Sequence, residues 1–385
     1  MELRYGIIDE NVRKRSVLDI ILHERQSFKQ AVKTPALIGI EGTLALMRAV
    51  NEQAARGLRA LSFEPRILLP PGTEEETLRD LYRQICRAGF PLGLEIGGGY
   101  AEVTDAVTRP VVTGTVTGIP FQSAQDAGNI SEFSDVPDTS NISDYQIIRA
   151  SCDRTPPETC AGMDIVAAGQ VGLEGSWILV HSCRNQLRDR FQESLLIRLQ
   201  ELTQQMCILR AAETAAAASS MAAAASSMAA AADSSGASSA TAAVMAVSAE
   251  TAASAASSVA AGAGQMVSLS GGGVFAGLWE LSKRTGCGMT IDLPLVPILQ
   301  ETIEITNYLE INPYLMRSAG CLLIAAPDGK SMAEALQAAD IPAVCIGTLQ
   351  DSNDKIIRNG EELRSLDRPQ TDALDLYLHR HRPGG

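Results

Sequence analysis

Two glycine-rich turns are the places where this chain could bind a ligand. In the stretch from Leu94 to Gly118, the turn Gly97 to Gly99 stands between two segments of strand composition, and the acidic residue Glu102 follows it. Glycines let a backbone take positive φ angles and come close to a ligand or to another strand. A second turn, Gly172-Leu-Glu-Gly-Ser176, leads into a predicted helix, a geometry suited to anions. The structural alternatives are a tight hairpin for the first turn and a tight crossover for the second.

Other common chemistries find no support in the pattern of residues. Cys321 and Cys345 lie in apolar segments, where a free cysteine is a small core residue. No Ser, His and Asp residues have the spacing of a catalytic triad, and His181 is predicted to be structural. A zinc site is not predicted, because there is no Cys-x-x-Cys and no histidine at ligand spacing among the cysteines, which are Cys86, Cys152, Cys160, Cys183, Cys207, Cys287, Cys321 and Cys345.

Composition predicts a cytoplasmic protein without a nucleic-acid or membrane partner. The net charge is −13 and the pI about 4.9, whereas binding to a phosphate backbone needs a clustered cationic surface. The N-terminus lacks the basic and apolar blocks of a signal peptide, and the scattered cysteines fit a reducing compartment. The run Thr214 to Ala232 is long enough to span a bilayer but contains no Leu, Ile, Val or Phe, so we reject a membrane span.

Strands and helices alternate around the first turn, which predicts an α/β or α+β layer. Thr73 is predicted to cap the helix that follows Pro71, and the glutamates of the first turn favour the positive end of its dipole. The helices predicted in this half are Ser16 to His23, Thr43 to Ala60 and Pro71 to Gly89, and the strands are Ala36 to Ile40, Arg66 to Pro70 and Val111 to Thr117.

A second α/β region follows residue 146. Apolar residues at helical spacing from Leu187 to Leu209 predict one long core-facing helix. The segment Ala211 to Gly264 is almost wholly Ala, Ser, Met and Thr, and we interpret it as a low-complexity insertion that is helical at its start. The remaining predicted elements are strands at Met289 to Leu293, Gly320 to Ala326 and Val344 to Gly347, helices at Val274 to Ser282, Gln300 to Leu309 and Ser331 to Ala338, and a hairpin at Asn353 to Gly360.

Two segments of the chain resemble one enzyme family in the right order. The segment from Gly98 to Gly118 is similar to the Gly-Gly-His-Thr-Glu-Val-Thr…Arg-Pro…Gly motif of the aminoimidazole ribonucleotide (AIR) synthetase superfamily, and most closely to its hydrogenase maturation branch. Gly273-Val-Phe-Ala-Gly-Leu-Trp-Glu280 and Ile311-Asn-Pro-Tyr314 resemble the C-terminal half of the same family. The positions that fit the first motif are Gly98, Gly99, Glu102, Val103, Thr104, Arg109, Pro110, Gly114 and Gly118, while Tyr100 and Ala101 replace His and Thr.

The resemblance covers residues 37–118 and 162–375 and implies a two-domain fold, with a mixed N-terminal sheet and helices followed by a C-terminal α/β sandwich. The predicted divisions are an N-terminal helical segment (1–35), an N-terminal domain (36–120), a polar linker (121–145), a C-terminal domain (146–375) interrupted by the insertion (211–264), and a tail (376–385).

The family binds ATP with a divalent metal, so the resemblance implies ATP and Mg²⁺ as cofactors. The metal ligands that it suggests are Glu52, Glu102 and Asp164. The candidate nucleotide-binding residues are Asn51, Glu52, Gly98, Gly99, Glu102, Thr104, Gly172, Glu174, Gly272 and Gly273.

Several acidic residues that the family uses are missing. Between Asp19 and Asp80 the chain has no aspartate, and the early Gly-Asp-Asp-Ala motif is absent. Glu52 replaces a metal-binding aspartate, and the family's His-Asp-x-Thr-Glu sequence before Gly272 is replaced by Val, Ser, Ser and Gly. The C-terminal cysteine of the maturation branch is also absent, since the last cysteine is Cys345. No catalytic residue is therefore assigned.

Three hypotheses follow. The first is a degenerate family member with weak or absent ATP turnover, which binds a ligand or a protein partner in metalloenzyme maturation. The second is an active ATP-dependent maturation or synthetase-type enzyme that phosphorylates an amide or carbamoyl-type oxygen. The third is a dimeric scaffold without a ligand, because family members form homodimers through their N-terminal sheets. A charged substitution at Val112 is expected to dissociate such a dimer. Whether the protein is an enzyme is left open, and the lost acids favour the first hypothesis.

Overall fold

The computed structural model describes residues 32–35, 42–121, 160–219 and 265–381. Within these ranges the strands form two sheets, one on each side of the predicted linker, so the α/β fold class is confirmed. The predicted helix at Ser16 to His23, the strand at Ala36 to Ile40 and nearly all of the linker lie outside the described residues.

The N-terminal sheet is mixed and has the order β1-β5-β2-β3, with β4 also paired to β2. The strand β5 runs antiparallel to β2, whereas β3 and β4 run parallel to it. Residues 32–35 were predicted to belong to a helical segment, but they form the edge strand of this sheet. The strands are β1 (Val32–Pro35), β2 (Leu58–Leu69), β3 (Glu95–Ile96), β4 (Tyr100–Val103) and β5 (Val111–Pro120).

Two helices, α1 (Gly42–Ala54) and α2 (Glu75–Gly89), cover one face of this sheet. The core side chains of β2 and β5 include Phe63, Val112 and Val116, while Glu64, Arg66 and Thr117 are exposed on the other face, as the two-residue period of a strand requires. Val112 is only 1% exposed, so the prediction that placed it at a dimer interface is wrong. A charge there would unfold its own domain.

The N-terminus of α2 is not capped by Thr73. The capping residue is Glu74, which makes no side-chain hydrogen bond to the helix, and the Thr73 hydroxyl donates to the carbonyl of Pro70 (2.7 Å). The acidic first turn predicted from the sequence is present, with Glu75 and Glu76. Their charges stabilise the positive end of the helix dipole without a capping side chain.

The C-terminal sheet has seven strands among the described residues, in the order β12-β11-β8-β10-β6-β9-β7. All of the strands and helices predicted after residue 270 are present with shifts of a few residues at their ends. The strands are β6 (Asp164–Gly169), β7 (Met266–Ser268), β8 (Gly288–Asp292), β9 (Cys321–Ala326), β10 (Ala343–Gln350), β11 (Lys355–Asn359) and β12 (Glu362–Ser365).

Helices pack on both faces of this sheet and produce a sandwich. Every side chain of β9 is buried, with Leu323 packing in the cluster of the helix α7 and Leu322 in the cluster of the helix α9. The helices of this domain are α3 (Leu173–Ser182), α4 (Arg184–Arg188), α5 (Glu193–Glu201), α6 (residues 209–219), α7 (Gly273–Thr285), α8 (Gln300–Tyr308), α9 (Gly329–Ala338) and α10 (Ala373–Arg380), with short 3₁₀ turns at Phe90–Leu92, Leu202–Met206, Leu293–Leu295 and Pro313–Leu315.

The predicted single helix from Leu187 to Leu209 is wrong in its path but correct in its core-facing residues. The chain forms α4, α5 and a 3₁₀ turn, and the extended backbone of Gln192 (ψ 143°) ends the first helical run. Leu187, Leu199 and Met206 nevertheless reach one apolar cluster. Several short helices that pack against one core can show the same spacing of apolar residues as one long helix.

The beginning of the Ala-rich segment is part of the core. Ala211, Ala212 and Ala215 on α6 are buried in the cluster that contains Leu322 and Leu336. Alanine side chains let a helix lie close to a sheet, so this helix packs through small residues. Residues 220–264 lie outside the described part of the chain.

Candidate functional site

The first glycine turn separates two short strands, β3 and β4, which both pair with β2. Because β3 pairs with Ser62 and Phe63, and β4 with residues 66–69, the turn does not close a hairpin between paired strands. Gly99 has φ of 60°, and a Cβ built on it would lie 1.9 Å from the carbonyl oxygen of Pro65. The glycine at this position is therefore required by the close approach of two backbones.

An exposed pocket of about 280 Å³ lies beside this turn. The Tyr100 hydroxyl donates to Glu102 Oε2 (2.9 Å), and this hydrogen bond raises the pKa of Tyr100. Both side chains are exposed to solvent. Thr104 Oγ1 accepts a hydrogen bond from the amide of Ala106 (3.2 Å). The pocket is lined by Glu64, Pro65, Arg66, Gly99, Tyr100 and Thr115.

The two polar candidates on α1 differ in environment, because Asn51 is buried and Glu52 is not. Asn51 is 1% exposed, its Nδ2 donates to the carbonyl of Met206 (2.6 Å), and its Oδ1 accepts from the amide of Ile208 (2.9 Å). Its neighbour Glu52 lies at the surface, where Oε1 accepts from Arg56 Nη2 (2.9 Å). Asn51 therefore joins the two domains, while Glu52 belongs to a surface ion pair within its own helix.

The second glycine turn begins α3 as predicted, with Gly172 at φ of 76°. Glu174 in the first turn of α3 is completely buried and forms an ion pair with Arg48 of α1. Its Oε2 accepts a hydrogen bond from the amide of Ala319 (3.1 Å), and the Gly172 amide donates to Ser318 Oγ (2.9 Å). The predicted anion site is therefore filled by groups of the chain itself.

A third glycine turn, Gly271 to Gly273, leads into α7 and is covered by the N-terminus of α10. The amide of Gly272 donates to Asp372 Oδ2 (2.7 Å), and Asp372 Oδ1 accepts from the amide of Leu374 (3.0 Å). A Cβ on Gly273 would lie 2.3 Å from the carbonyl oxygen of Tyr314. Burial raises the pKa of Asp372 to about 6. A carboxylate of the chain therefore occupies the position where this turn could receive an external anion.

Sequence reasoning missed four charged residues around these turns. Arg317 Nη2 contacts Asp375 Oδ2 (2.6 Å), and both residues stand close to Asp372 in the same buried region. The fourth residue, Arg48, could have been found, because it is the only charge within the apolar run Leu44 to Val50. Arg317 gave a similar signal, because it follows Tyr314-Leu-Met316 and is the only charge between Glu310 and Asp328, whereas Asp372 follows the polar stretch Asp367 to Thr371 and gave none.

The three suggested metal ligands do not come together. Asp164 Oδ2 accepts from the amide of Gly329 (2.9 Å) at the start of α9, whereas Glu52 and Glu102 bind Arg56 and Tyr100. Within the described ranges, no group of three His, Cys, Asp or Glu side chains could hold a metal ion. Mg²⁺ bound with a nucleotide is held by one or two carboxylates together with phosphate oxygens, and in the described part of the chain Glu52, Glu102 and Asp164 each have another hydrogen-bond partner.

Comparison with known proteins places the fold. Residues 215–358 match the family model of the AIR synthase related protein, C-terminal domain. None of the curated proteins matches the sequence significantly. The described helices include none that is long and apolar enough to cross a membrane.

Solved structures match nearly the whole chain. HypE of E. coli has a TM-score of 0.58 and 16% identity, over 94% of this chain and 91% of that one. A HypE–HypF complex gives 0.56 and 15%, over 94% and 100%. AaThiL complexed with AMPPCP and TMP gives 0.53 and 10%, over 94% and 99%. These TM-scores show a shared fold.

Residues 215–358 therefore match the C-terminal domain of AIR synthase related proteins, and the fold of nearly the whole chain is the one found in the HypE and ThiL structures. The superfamily resemblance read from the sequence is confirmed. Hydrogenase maturation protein HypE, from the branch predicted, is among the proteins that share this fold.

Proposed function

We propose that this protein is a degenerate AIR synthase-related protein that turns over little or no ATP and acts as a ligand-binding or assembly partner. One observation carries this proposal. Each polar side chain predicted to bind nucleotide or metal has a partner within the chain itself: Asn51, Glu52, Glu102, Thr104, Asp164 and Glu174.

The two buried candidates have the strongest internal partners. Glu174 is fully buried and is bound by Arg48 and the amide of Ala319. Removing one partner from a buried ion pair costs about 3–5 kcal/mol, so Glu174 cannot turn toward a phosphate or a metal at low cost. Asn51 likewise holds the backbone at Met206 and Ile208. These groups serve the contact between the domains.

A protein partner is supported by the fold and by surface charge. HypE, which shares the fold, is found in a complex with HypF, and we infer that this chain also binds a protein in metalloenzyme maturation. The net charge of −13 favours a protein partner over a nucleic acid. The described cysteines are all free thiols, which supports a reducing cytoplasmic location.

Two alternatives retain supporting observations. Active ATP-dependent chemistry is favoured by the exposed pocket beside Gly99, next to the accessible carboxylate of Glu102, and by the presence of AMPPCP, an ATP analogue, in a structure of the same fold. A homodimeric scaffold is favoured by the outer face of the N-terminal sheet, on which Arg66 and Thr117 are exposed.

Calorimetric titration with ATP and Mg²⁺ tests the proposal. We expect no saturable heat up to millimolar nucleotide. If metal-dependent binding is seen instead, the enzyme hypothesis predicts that Glu52→Gln and Glu102→Gln each abolish it, while the surface control Asp351→Asn does not. Saturable binding followed by phosphate release would overturn the degenerate assignment.

A further inference from the structure

The strand β12 forms an exposed edge of the C-terminal sheet. It pairs with β11 on one side, and all four of its residues are exposed. Leu363, at its centre, is 65% exposed, the highest value among the large apolar side chains that the structure describes as exposed. An edge strand presents unpaired backbone groups that can template the addition of another strand.

The direction of the backbone groups along β12 follows from its pairing. The amide of Leu366 donates to the carbonyl of Lys355 (2.7 Å), and Arg364 lies opposite Ile357 in the register. Hydrogen-bonded and non-hydrogen-bonded pairs alternate in an antiparallel ladder. The amides and carbonyls of Leu363 and Ser365 therefore point away from β11, toward the open edge.

We propose that β12 pairs antiparallel with β12 of a second copy of this chain, about a two-fold axis at Leu363. Because outward-pointing residues must face each other, a symmetric pair within the strand can be centred on Glu362, Leu363, Arg364 or Ser365. Centring on Leu363 places Glu362 of each copy opposite Arg364 of the other. The two apolar side chains then meet at the axis on the opposite face.

The other three registers are disfavoured by charge and polarity. Centring on Glu362 sets two carboxylates directly opposite each other. Centring on Arg364 sets two guanidinium groups directly opposite each other, and like charges in that position are destabilising. Centring on Ser365 sets Leu363 against Asp367 of the second copy. The order Glu362-Leu363-Arg364 is self-complementary in one register only, and that register joins the two seven-stranded sheets into a continuous one.

Charged residues on a short edge strand are also the means by which proteins prevent such pairing, so the test must distinguish these two roles. A cysteine at position 363 would face itself across the axis, at a separation that a disulfide can bridge. In the same register, position 365 faces position 361 of the other copy. We expect Leu363→Cys to form a disulfide-linked dimer under mild oxidation at least tenfold faster than Ser365→Cys or the wild type. Equal rates for the two variants would overturn the proposal.

Charge exchange provides a second, independent measurement. Glu362→Arg and Arg364→Glu should each reduce the concentration-dependent rise in sedimentation coefficient, because each sets like charges against one another. The double variant should restore it to the wild-type level. All these positions are exposed, and circular dichroism would verify folding. If the double variant associated as weakly as the single ones, or if the wild type and all three variants sedimented identically, the charges of β12 would serve to prevent strand pairing.

Discussion

At the scale of single residues, the charged groups of this chain hold its own helix termini and domains. Asp372 is an example, because its two oxygens accept hydrogen bonds from the amides of Gly272 and Leu374. These hydrogen bonds and the charge of Arg317 favour the ionised carboxylate, whereas burial disfavours it more strongly and raises the pKa to about 6. The carboxylate thus caps two helices at a cost in desolvation.

The raised pKa of Asp372 predicts how stability depends on pH. A group whose pKa is higher in the folded state than in the unfolded state contributes stability below the unfolded value of 3.8, and this contribution is lost as the pH rises through about 6. The shift corresponds to roughly 3 kcal/mol at 1.36 kcal/mol per unit. We expect the contribution of Asp372 to the free energy of unfolding, measured with urea as the difference between the wild type and Asp372→Asn, to fall by this order between pH 4 and pH 7.

Asp372→Asn should remove this component of the pH dependence, because the amide does not titrate. The exposed substitution Asp351→Asn is the matched control and should leave the wild-type slope intact. If Asp372→Asn and the wild type showed the same slope between pH 4 and pH 7, Asp372 would not be the group that titrates.

At the scale of elements, the sequence predicts the strand faces and helix starts that depend on apolar periodicity and on turn residues. The packing of Leu322 and Leu323 of β9 on opposite faces of the sheet, and the helix start at Gly172, follow from local pattern. The interruption between β3 and β4 could not be predicted, because it depends on which strand they pair with, and β2 lies about thirty residues earlier in the sequence. The burial of Glu174 also depends on a distant partner, Arg48.

The two neighbouring glycines of the first turn should respond differently to substitution. Gly99→Ala places a Cβ against the backbone of Pro65 at a positive φ, so we expect a loss of more than about 2 kcal/mol in stability. Gly98→Ala is the matched control, since nothing lies within 4 Å of a Cβ at that position. Denaturant unfolding of both variants measures the difference, and equal stabilities would mean that β4 does not lie along β2 as described.

At the scale of the whole molecule, helix α1 belongs to both domains. Its residue Leu44 packs in the cluster of α3, and Ala54 packs in the cluster that contains α6 and β9. Arg48 and Asn51 add the buried polar contacts to Glu174 and to the backbone at 206–208. With one helix shared in this way, the two domains should unfold together in a single cooperative transition.

Both tryptophans, Trp177 and Trp279, lie in the C-terminal domain, so fluorescence reports on that domain while far-ultraviolet circular dichroism reports on both. In wild-type protein we expect the two urea transitions to coincide. Arg48→Met leaves the carboxylate of Glu174 buried without its cation, which should cost about 3 kcal/mol and make the N-terminal domain unfold first. The two transitions should then separate.

Arg56→Met, on the same helix, is the matched control, because the exposed pair of Arg56 with Glu52 contributes at most about 1 kcal/mol. The double variant Arg48→Met with Glu174→Met should recover part of the loss, since it removes the unpaired charge and leaves mainly the amide of Ala319 without its acceptor. If Arg48→Met were no more destabilising than Arg56→Met, the buried pair would not join the domains, and Glu174 would again be available to a ligand.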